Sequence, residues 1–151
     1  MRKLSCSRSI LLIDSSVFIA SLIETDRCHS ASRHFFGVLE RGEKQTVLVE
    51  PSTIILEIAN VLTRSGRVRE ASLLLNYFTS VEIVPVDNEF ITHAIPLLRR
   101  VNLKTADAII AISAHLWDAT LVSWDKKLLQ EAKRITRAFT PEEYLKKELL
   151  K

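Results

Sequence analysis

Cysteine, glycine and proline are scarce in this sequence: its 151 residues include two Cys, three Gly and four Pro. Cys6 and Cys28 are too few for a disulfide framework, and neither belongs to a CxxC pair. The four histidines show neither HxH nor HxxxH spacing, which argues against a zinc site. Because so few Gly and Pro leave no room for long flexible linkers, we expect one domain over residues 1–151.

Long apolar runs are also missing. The run that follows Arg2, Lys3 and Arg8 has the flanks of a signal peptide, but Asp14 interrupts it after four residues. No uncharged stretch approaches the roughly 18 residues that a membrane span needs. We therefore expect a soluble, cytoplasmic protein with no membrane contact.

Charge is unevenly distributed around a formal net charge of +3. Residues 1–10 carry three basic side chains, and residues 126–151 carry eight Lys or Arg against four Asp or Glu, so the stretch between them is net acidic. A metal site that serves a polyanion needs both kinds of charge, acids for the cation and bases for phosphates. Solvated helix faces would equally explain lysines such as Lys126 and Lys127.

Short apolar runs alternate with segments of helical periodicity along the whole chain. Strands are predicted at 10–14, 46–49, 81–86, 119–123 and 135–139. Helices are predicted at 16–23, 28–40, 52–65, 68–79, 88–100, 105–117, 126–132 and from Pro141 onward, with Leu73, Leu74 and Tyr77 facing inward. The alternation predicts an α/β fold with a mainly parallel sheet of about five strands.

Four carboxylates occupy positions where their neighbours are apolar. Two follow predicted strands and two lie on apolar faces of predicted helices: Asp14, Asp125, Glu57 and Asp107. Sites in parallel sheets form outside the carboxyl ends of the strands, so these acids should share one cleft. Oxygen ligands suit Mg²⁺ or Mn²⁺, with Ser15 and Ser123 near enough in sequence to orient ligands or water. Asp118, at the other end of its strand, should stay outside the site.

Each acid also has a purely structural explanation. Asp14 could end a turn, and Glu57 could belong to a buried salt bridge. Asp107 follows Thr105, a plausible N-cap, and would complement the helix dipole there. Asp125 could simply start the next helix. Read together, however, four converging carboxylates would repel one another strongly unless cations neutralised them.

Five segments resemble the PIN domain family, and specifically the VapC-type toxins of prokaryotic toxin–antitoxin pairs. The resemblance covers about residues 10–147, and its strength lies in the order and spacing of the segments. They are LLIDSSVFIA at 11–20, STIILEIANVL at 52–62, LKTADAIIAISAH at 103–115, ATLVSWDKKL at 119–128 and FTPEEYL at 139–145.

The resemblance implies a PIN-like three-layer α/β/α sandwich and a Mg²⁺- or Mn²⁺-dependent endoribonuclease that forms homodimers and is inhibited by a small antitoxin. Ser123 matches the supporting Ser or Thr of the family, whereas Ser16 stands where the family often has Asn or another polar residue. The acidic metal-site positions of the family fall on Asp14, Glu57, Asp107 and Asp125.

Other functions remain open at this point. One is a PIN-type RNA-processing nuclease without an antitoxin, and another is a non-catalytic nucleic-acid-binding module, which loss of an acid would favour. A phosphate-accepting receiver domain would need paired acids near the first strand, where this chain has only Asp14. We expect the dimer to use the helices at 52–65 and 68–79. An antitoxin peptide should cross the acidic cleft with an Arg or Lys.

Overall fold

The computed structural model of the protein describes residues 9–42 and 46–149. The basic residues Arg2, Lys3 and Arg8 lie outside the described residues, as does Cys6. Five parallel strands form one sheet in the order β3-β2-β1-β4-β5. The strands are β1 Ser9–Ile13, β2 Thr46–Pro51, β3 Glu82–Val84, β4 Thr120–Val122 and β5 Ala138–Phe139.

The middle strand, β1, is covered on both faces. Successive side chains of a strand point to opposite faces, and Leu11, Leu12 and Ile13 are all fully buried. Helices therefore pack on both sides of the sheet, which gives the predicted three-layer α/β/α arrangement. The register pairs Ile13 with Val122 of β4, so β1 and β4 end at the same edge.

The described residues contain eight α-helices and one 3₁₀ turn, Phe78–Ser80. None of these helices is long and apolar enough to cross a membrane. The α-helices are α1 Ser15–Leu22, α2 His29–Arg41, α3 Ser52–Arg64, α4 Val68–Tyr77, α5 Asn88–Leu98, α6 Thr105–Leu116, α7 Lys126–Ala132 and α8 Pro141–Leu149.

Local sequence explains the boundaries that matter most for the site. Helix α3 buries Ile54, Ile58 and Leu62, which are four residues apart and therefore share one face. It ends just before Gly66, whose φ of 75° is the left-handed conformation that glycine adopts without strain. Because α3 begins directly after β2, it starts at the carboxyl edge of the sheet.

Several predicted details differ in the structure. The third strand stops at Val84, since Pro85 has no N–H with which to continue the ladder, and the last strand has only two residues. The prediction that Leu73 faces inward is wrong: it is 58% exposed, because α4 packs mainly on α3 and Leu73 borders an open groove. The side chains of Leu74 and Tyr77 lie outside the described residues.

Candidate active site

Asp14 sits at the middle of the carboxyl edge of the sheet. It follows β1 directly, and its backbone N–H donates to the Val122 carbonyl at 2.9 Å. The residue is 5% exposed. Two hydroxyls donate to one of its carboxylate oxygens, Oδ2: Ser16 Oγ at 2.6 Å and Ser123 Oγ at 2.7 Å. Two donated hydrogen bonds satisfy this oxygen and hold the nearly buried side chain in one orientation.

The two serines are themselves held by the loop after β4. The backbone N–H of Trp124 donates to Ser16 Oγ at 3.1 Å, and that of Asp125 donates to Ser123 Oγ at 2.9 Å. The two hydroxyl oxygens are 3.3 Å apart. Sequence reasoning singled out Ser123 as a supporting residue but gave Ser16 no role beyond a polar family position, and its place two residues after Asp14 is a further signal. The bonds tie the start of α1 to the end of β4.

Glu57 projects from α3 toward Asp14 as an exposed side chain. Neighbouring groups partly desolvate the Glu57 carboxyl, which raises its pKa. A side-chain hydrogen bond from Ser15 lowers this pKa, and the negative charges of Asp14 and Asp107 raise it. Ser15, predicted to support the site, thus does so through Glu57. Because these charges act on one another, Glu57, Asp14 and Asp107 lie in the same neighbourhood.

Asp107 reaches the same neighbourhood from the first turn of α6. Partial burial raises the pKa of its carboxyl, and the negative charges of Asp125 and Asp14 raise this pKa further. Lys104 and Lys127 act in the opposite direction and lower it. The structure therefore brings the predicted acids together around Asp107 and places two lysines beside them. Helix α6 starts at Thr105 itself, with Lys104 at the N-cap position, so the expected Thr105 cap is wrong.

Asp125 has two roles in the geometry. Its Oδ1 accepts a hydrogen bond from the backbone N–H of Leu128 at 2.9 Å, which caps α7. The side chain of Asp125 is exposed, and its negative charge contributes to the raised pKa of Asp107. Asp118, by contrast, lies before β4, pairs with Arg137 at 3.5 Å and has a side chain that is 96% exposed. It stays outside the group, as expected.

Glu50 is a buried acid that sequence reasoning missed. It is fully buried near the end of β2, and its Oε1 accepts the backbone N–H of Ile13 at 2.8 Å. Its Oε2 is among the buried atoms of the described residues that have no hydrogen-bond partner. Burial raises the pKa of Glu50 well above its usual value, and the charge of Asp14 adds to this. The available signal was its position after the apolar run Val47–Val49, the pattern that identified Asp14.

The donor set fits a hard divalent cation in its chemistry. Asp14, Glu57, Asp107 and Asp125 offer only oxygen ligands, and their mutual repulsion is what a cation would relieve. Within the described ranges, no three His, Cys, Asp or Glu side chains form a ready-made metal site. The carboxylates are therefore near enough to interact electrostatically, but their side chains would have to turn inward to share one ion.

An open groove of the described residues lies elsewhere. It measures about 790 Å³ and is bordered by α1, α2 and α4, where Phe18, Leu22 and Phe36 meet Arg33 and Arg41. None of the four acids lines it. The nearly buried Asp14, the donors aimed at it and the raised pKa values of Glu57 and Asp107 place the candidate chemistry at the sheet edge and not in this groove.

The fold and the site together define a parallel α/β domain with a carboxylate centre at the carboxyl edge of its sheet. The family model described as "PIN domain" matches residues 11–134. The chain belongs to the PIN domain family, and its resemblance to that family is confirmed. No curated protein matches the sequence.

Solved structures share the fold at low sequence identity. FitAcB from Neisseria gonorrhoeae is 16% identical with a TM-score of 0.67, over 88% of this chain and 98% of that one. VapBC2 from Rickettsia felis, bound to a promoter DNA fragment, is 17% identical with a TM-score of 0.64, over 87% and 98%. VapC20 from Mycobacterium tuberculosis, a sarcin–ricin loop cleaving toxin, is 17% identical with a TM-score of 0.62, over 80% and 92%. These likenesses establish the PIN-like fold.

Proposed function

We propose that the protein is a divalent-metal-dependent endoribonuclease and the toxin of a toxin–antitoxin pair. The observation that carries the proposal is the convergence of Asp14, Glu57, Asp107 and Asp125, with two hydroxyls holding Asp14. The PIN domain family consists of nucleases, which supports hydrolysis of a phosphodiester bond. We propose RNA as the substrate because the similar protein VapC20 is described as a toxin that cleaves the sarcin–ricin loop, an RNA element.

Each residue has a role that its surroundings support. Bound Mg²⁺ or Mn²⁺ would polarise the phosphodiester and make a water more acidic. Asp14 and Asp107, from β1 and α6, would hold the cation from two sides, and Asp125 would complete the oxygen set. Ser16 and Ser123 keep the Asp14 carboxylate in one orientation. Glu57, whose pKa is raised by burial, is suited to accept the proton of the attacking water.

Two other functions are compatible with the fold. A non-catalytic nucleic-acid-binding module would not need all four acids, and here all four are present around one neighbourhood. An RNA-processing nuclease without an antitoxin would have the same site. It differs in its genetic setting, because a toxin is encoded beside a short dedicated partner.

The proposed antitoxin would inhibit through charge. Without a cation, the carboxylates around Asp107 repel one another, and an Arg or Lys from a partner peptide would neutralise them. In hydrogen-exchange measurements, partner binding should protect the backbone at the ends of β1 and α6. In an RNA cleavage assay, the complex should be inactive. A partner that protects only the groove between α1, α2 and α4, and leaves RNA cleavage intact, would contradict this mode of inhibition.

We also propose that the toxin is a homodimer. Helix α5 exposes Ile91, Ile95 and Leu98, which are 47%, 58% and 47% exposed and fall on one stripe of the helix. Leu56 on α3 is 69% exposed. A second copy would bury these side chains across a two-fold axis. In light scattering at tens of micromolar, Ile95→Glu should give a monomer, and Leu73→Glu on α4 tests whether the α4 face also contributes.

The direct test is cleavage of total RNA by the purified protein with Mg²⁺, with Mn²⁺ and with EDTA. The proposal expects discrete fragments with either ion and none with EDTA. Fragments that persist in EDTA would contradict metal dependence, and an absence of fragments under every condition, with intact and folded protein, would favour the binding module.

A further inference from the structure

Helix α7 starts at the site and presents an exposed face of one charge sign. Asp125 caps it, and the exposed positions of the helix and the turn that follows carry no acid. The only acid in this segment, Glu131, is 8% exposed and accepts the backbone N–H of Asn102 at 2.9 Å. The exposed positions are Lys126, Lys127, Gln130, Lys133, Arg134 and Arg137.

An ordinary solvated helix looks different, and the same chain contains one. Helix α8 has Glu142 and Glu143 in its first turn and Lys146 and Lys147 in its last, so opposite charges lie four residues apart. Along α7 and the turn that follows it, the exposed charges are all positive, so together they attract an anion. The contrast argues that the α7 face is used and not merely solvated.

The surroundings of the turn after α7 add to the positive charge. The guanidinium of Arg100 donates to the Arg134 carbonyl at 3.2 Å, which brings another cation beside the turn. The side chains of Arg134 and Arg137 are 59% and 62% exposed. Arg134 pairs with the nearly buried Glu131 and Arg137 with the exposed Asp118, each at 3.5 Å, and the exposed parts of both guanidinium groups remain able to bind phosphate.

We propose that the exposed face of α7, with the turn through Arg137, is the track on which the phosphate backbone of the substrate RNA leaves the cleavage site. The inference rests on the proposed nuclease function. Eight residues separate Asp125 from Lys133, about 12 Å at the rise of a helix. At about 3.4 Å per nucleotide of a stacked strand, this distance covers roughly three nucleotides beyond the site. The track contacts phosphates and not bases, so it contributes affinity without sequence preference.

The test measures RNA binding separately from cleavage. A labelled single strand of about twelve nucleotides is titrated in EDTA between roughly 20 and 200 mM salt. The slope of log affinity against log salt is negative, and the double variant Lys133→Gln and Arg134→Gln should make it shallower by about 1.4. This is about 0.7 for each lost phosphate contact. The matched control, Arg64→Gln with Arg69→Gln, removes the same charge from α3 and α4 and should keep the wild-type slope.

The outcomes separate this inference from the proposed function. If the wild type cleaves RNA but the α7 variant keeps the wild-type salt slope, the track is refuted and the nuclease stands. If the slope falls as expected but no divalent ion supports cleavage, the α7 face binds RNA phosphates, but the nuclease function fails and with it the role of this face as a substrate track. A wild type that does not bind the strand at low salt overturns the track, whatever its activity.

Discussion

Asp14 and Glu50 lie near the ends of neighbouring parallel strands, and both are almost or fully buried, yet their surroundings differ. Asp14 Oδ2 accepts two hydroxyl hydrogen bonds, whereas Glu50 accepts one backbone N–H at Oε1 and none at Oε2. Burial raises the pKa of Glu50 well above its usual range. The comparison shows that position in the sheet does not decide which hydrogen bonds a buried acid receives. These depend on the residues packed around it, and Ser123 comes from 109 residues away.

The two acids should therefore respond differently to substitution. Asp14 faces the other carboxylates of the site, so its loss should affect activity most. Glu50 lies behind it in the core, where an uncharged side chain is easily accommodated, so its loss should affect the pH dependence of stability. Each experiment below either sharpens this contrast or removes it.

Asp14→Asn should have the largest effect. We expect RNA cleavage to fall by more than about 100-fold, because loss of a residue that merely supports a metal ligand already costs about 10–100-fold. The fold should be kept, since the amide preserves the shape of the side chain. Cleavage of labelled RNA with Mn²⁺ and thermal melting measure both effects.

Asp118→Asn is the control for that experiment, because Asp118 is exposed and outside the site. It should cleave at the wild-type rate. If Asp14→Asn also cleaves at that rate, the nuclease proposal fails; if it loses both activity and folding, Asp14 has a structural role only.

Ser123→Ala should have a smaller effect on the same activity. It removes one of the two hydroxyls that hold Asp14 Oδ2 and the acceptor of the Asp125 N–H. Cleavage should fall by about 10–100-fold, with the apparent affinity for Mn²⁺ reduced. Ser123→Thr keeps the hydroxyl and should restore most of the activity. A Thr variant as poor as the Ala variant would show that packing, not the hydrogen bond, matters.

Glu50→Gln should change how stability depends on pH. The pKa of Glu50 is raised in the folded protein above its usual 4.5, so the folded state binds more protons than the unfolded state in the window above that value. Stability therefore falls as pH rises through this window, by at most about 1.4 kcal/mol per pH unit for one group. The Gln variant should lack this component. Urea unfolding of both proteins at mildly acidic and alkaline pH measures the difference.

The matched control is Glu82→Gln on the neighbouring strand β3, where the side chain is exposed. Its pH dependence should follow that of the wild type. Parallel curves for wild type and Glu50→Gln would mean that Glu50 titrates alike in the folded and unfolded protein, which would contradict its raised pKa.

Asp107→Asn should give the smallest shift in stability. Partial burial raises the pKa of Asp107, and the charges of Asp125 and Asp14 raise it further through repulsion in the metal-free protein. Removing that charge should raise the melting temperature in EDTA by about 1–3 °C, since 1 kcal/mol corresponds to roughly 2–4 °C in a domain of this size. Mn²⁺ should stabilise the wild type more than the variant. A lower melting temperature in EDTA would indicate that Asp107 stabilises α6 through its dipole.

Local patterns predicted much of the fold. The alternation of apolar runs with helical periodicity located the five strands and eight α-helices found in residues 9–42 and 46–149, because period and burial are properties of neighbouring residues. The ends were less predictable: β5 has two residues where five were expected, since pairing with β4 limits it. Leu73 was assigned inward by its period alone, but the packing of α4 on α3 leaves it exposed.

Local sequence dictates which acids are available and places two of them after strands. Packing between distant segments dictates which hydrogen bonds each acid receives. Ser16 and Ser123 meet on one oxygen of Asp14 because β1 and β4 are neighbours in the sheet, and Glu50 lacks such donors although its local sequence looks alike. A carboxylate's charge depends on the donors and charges within a few ångströms, and in a folded chain these come from residues far away in sequence.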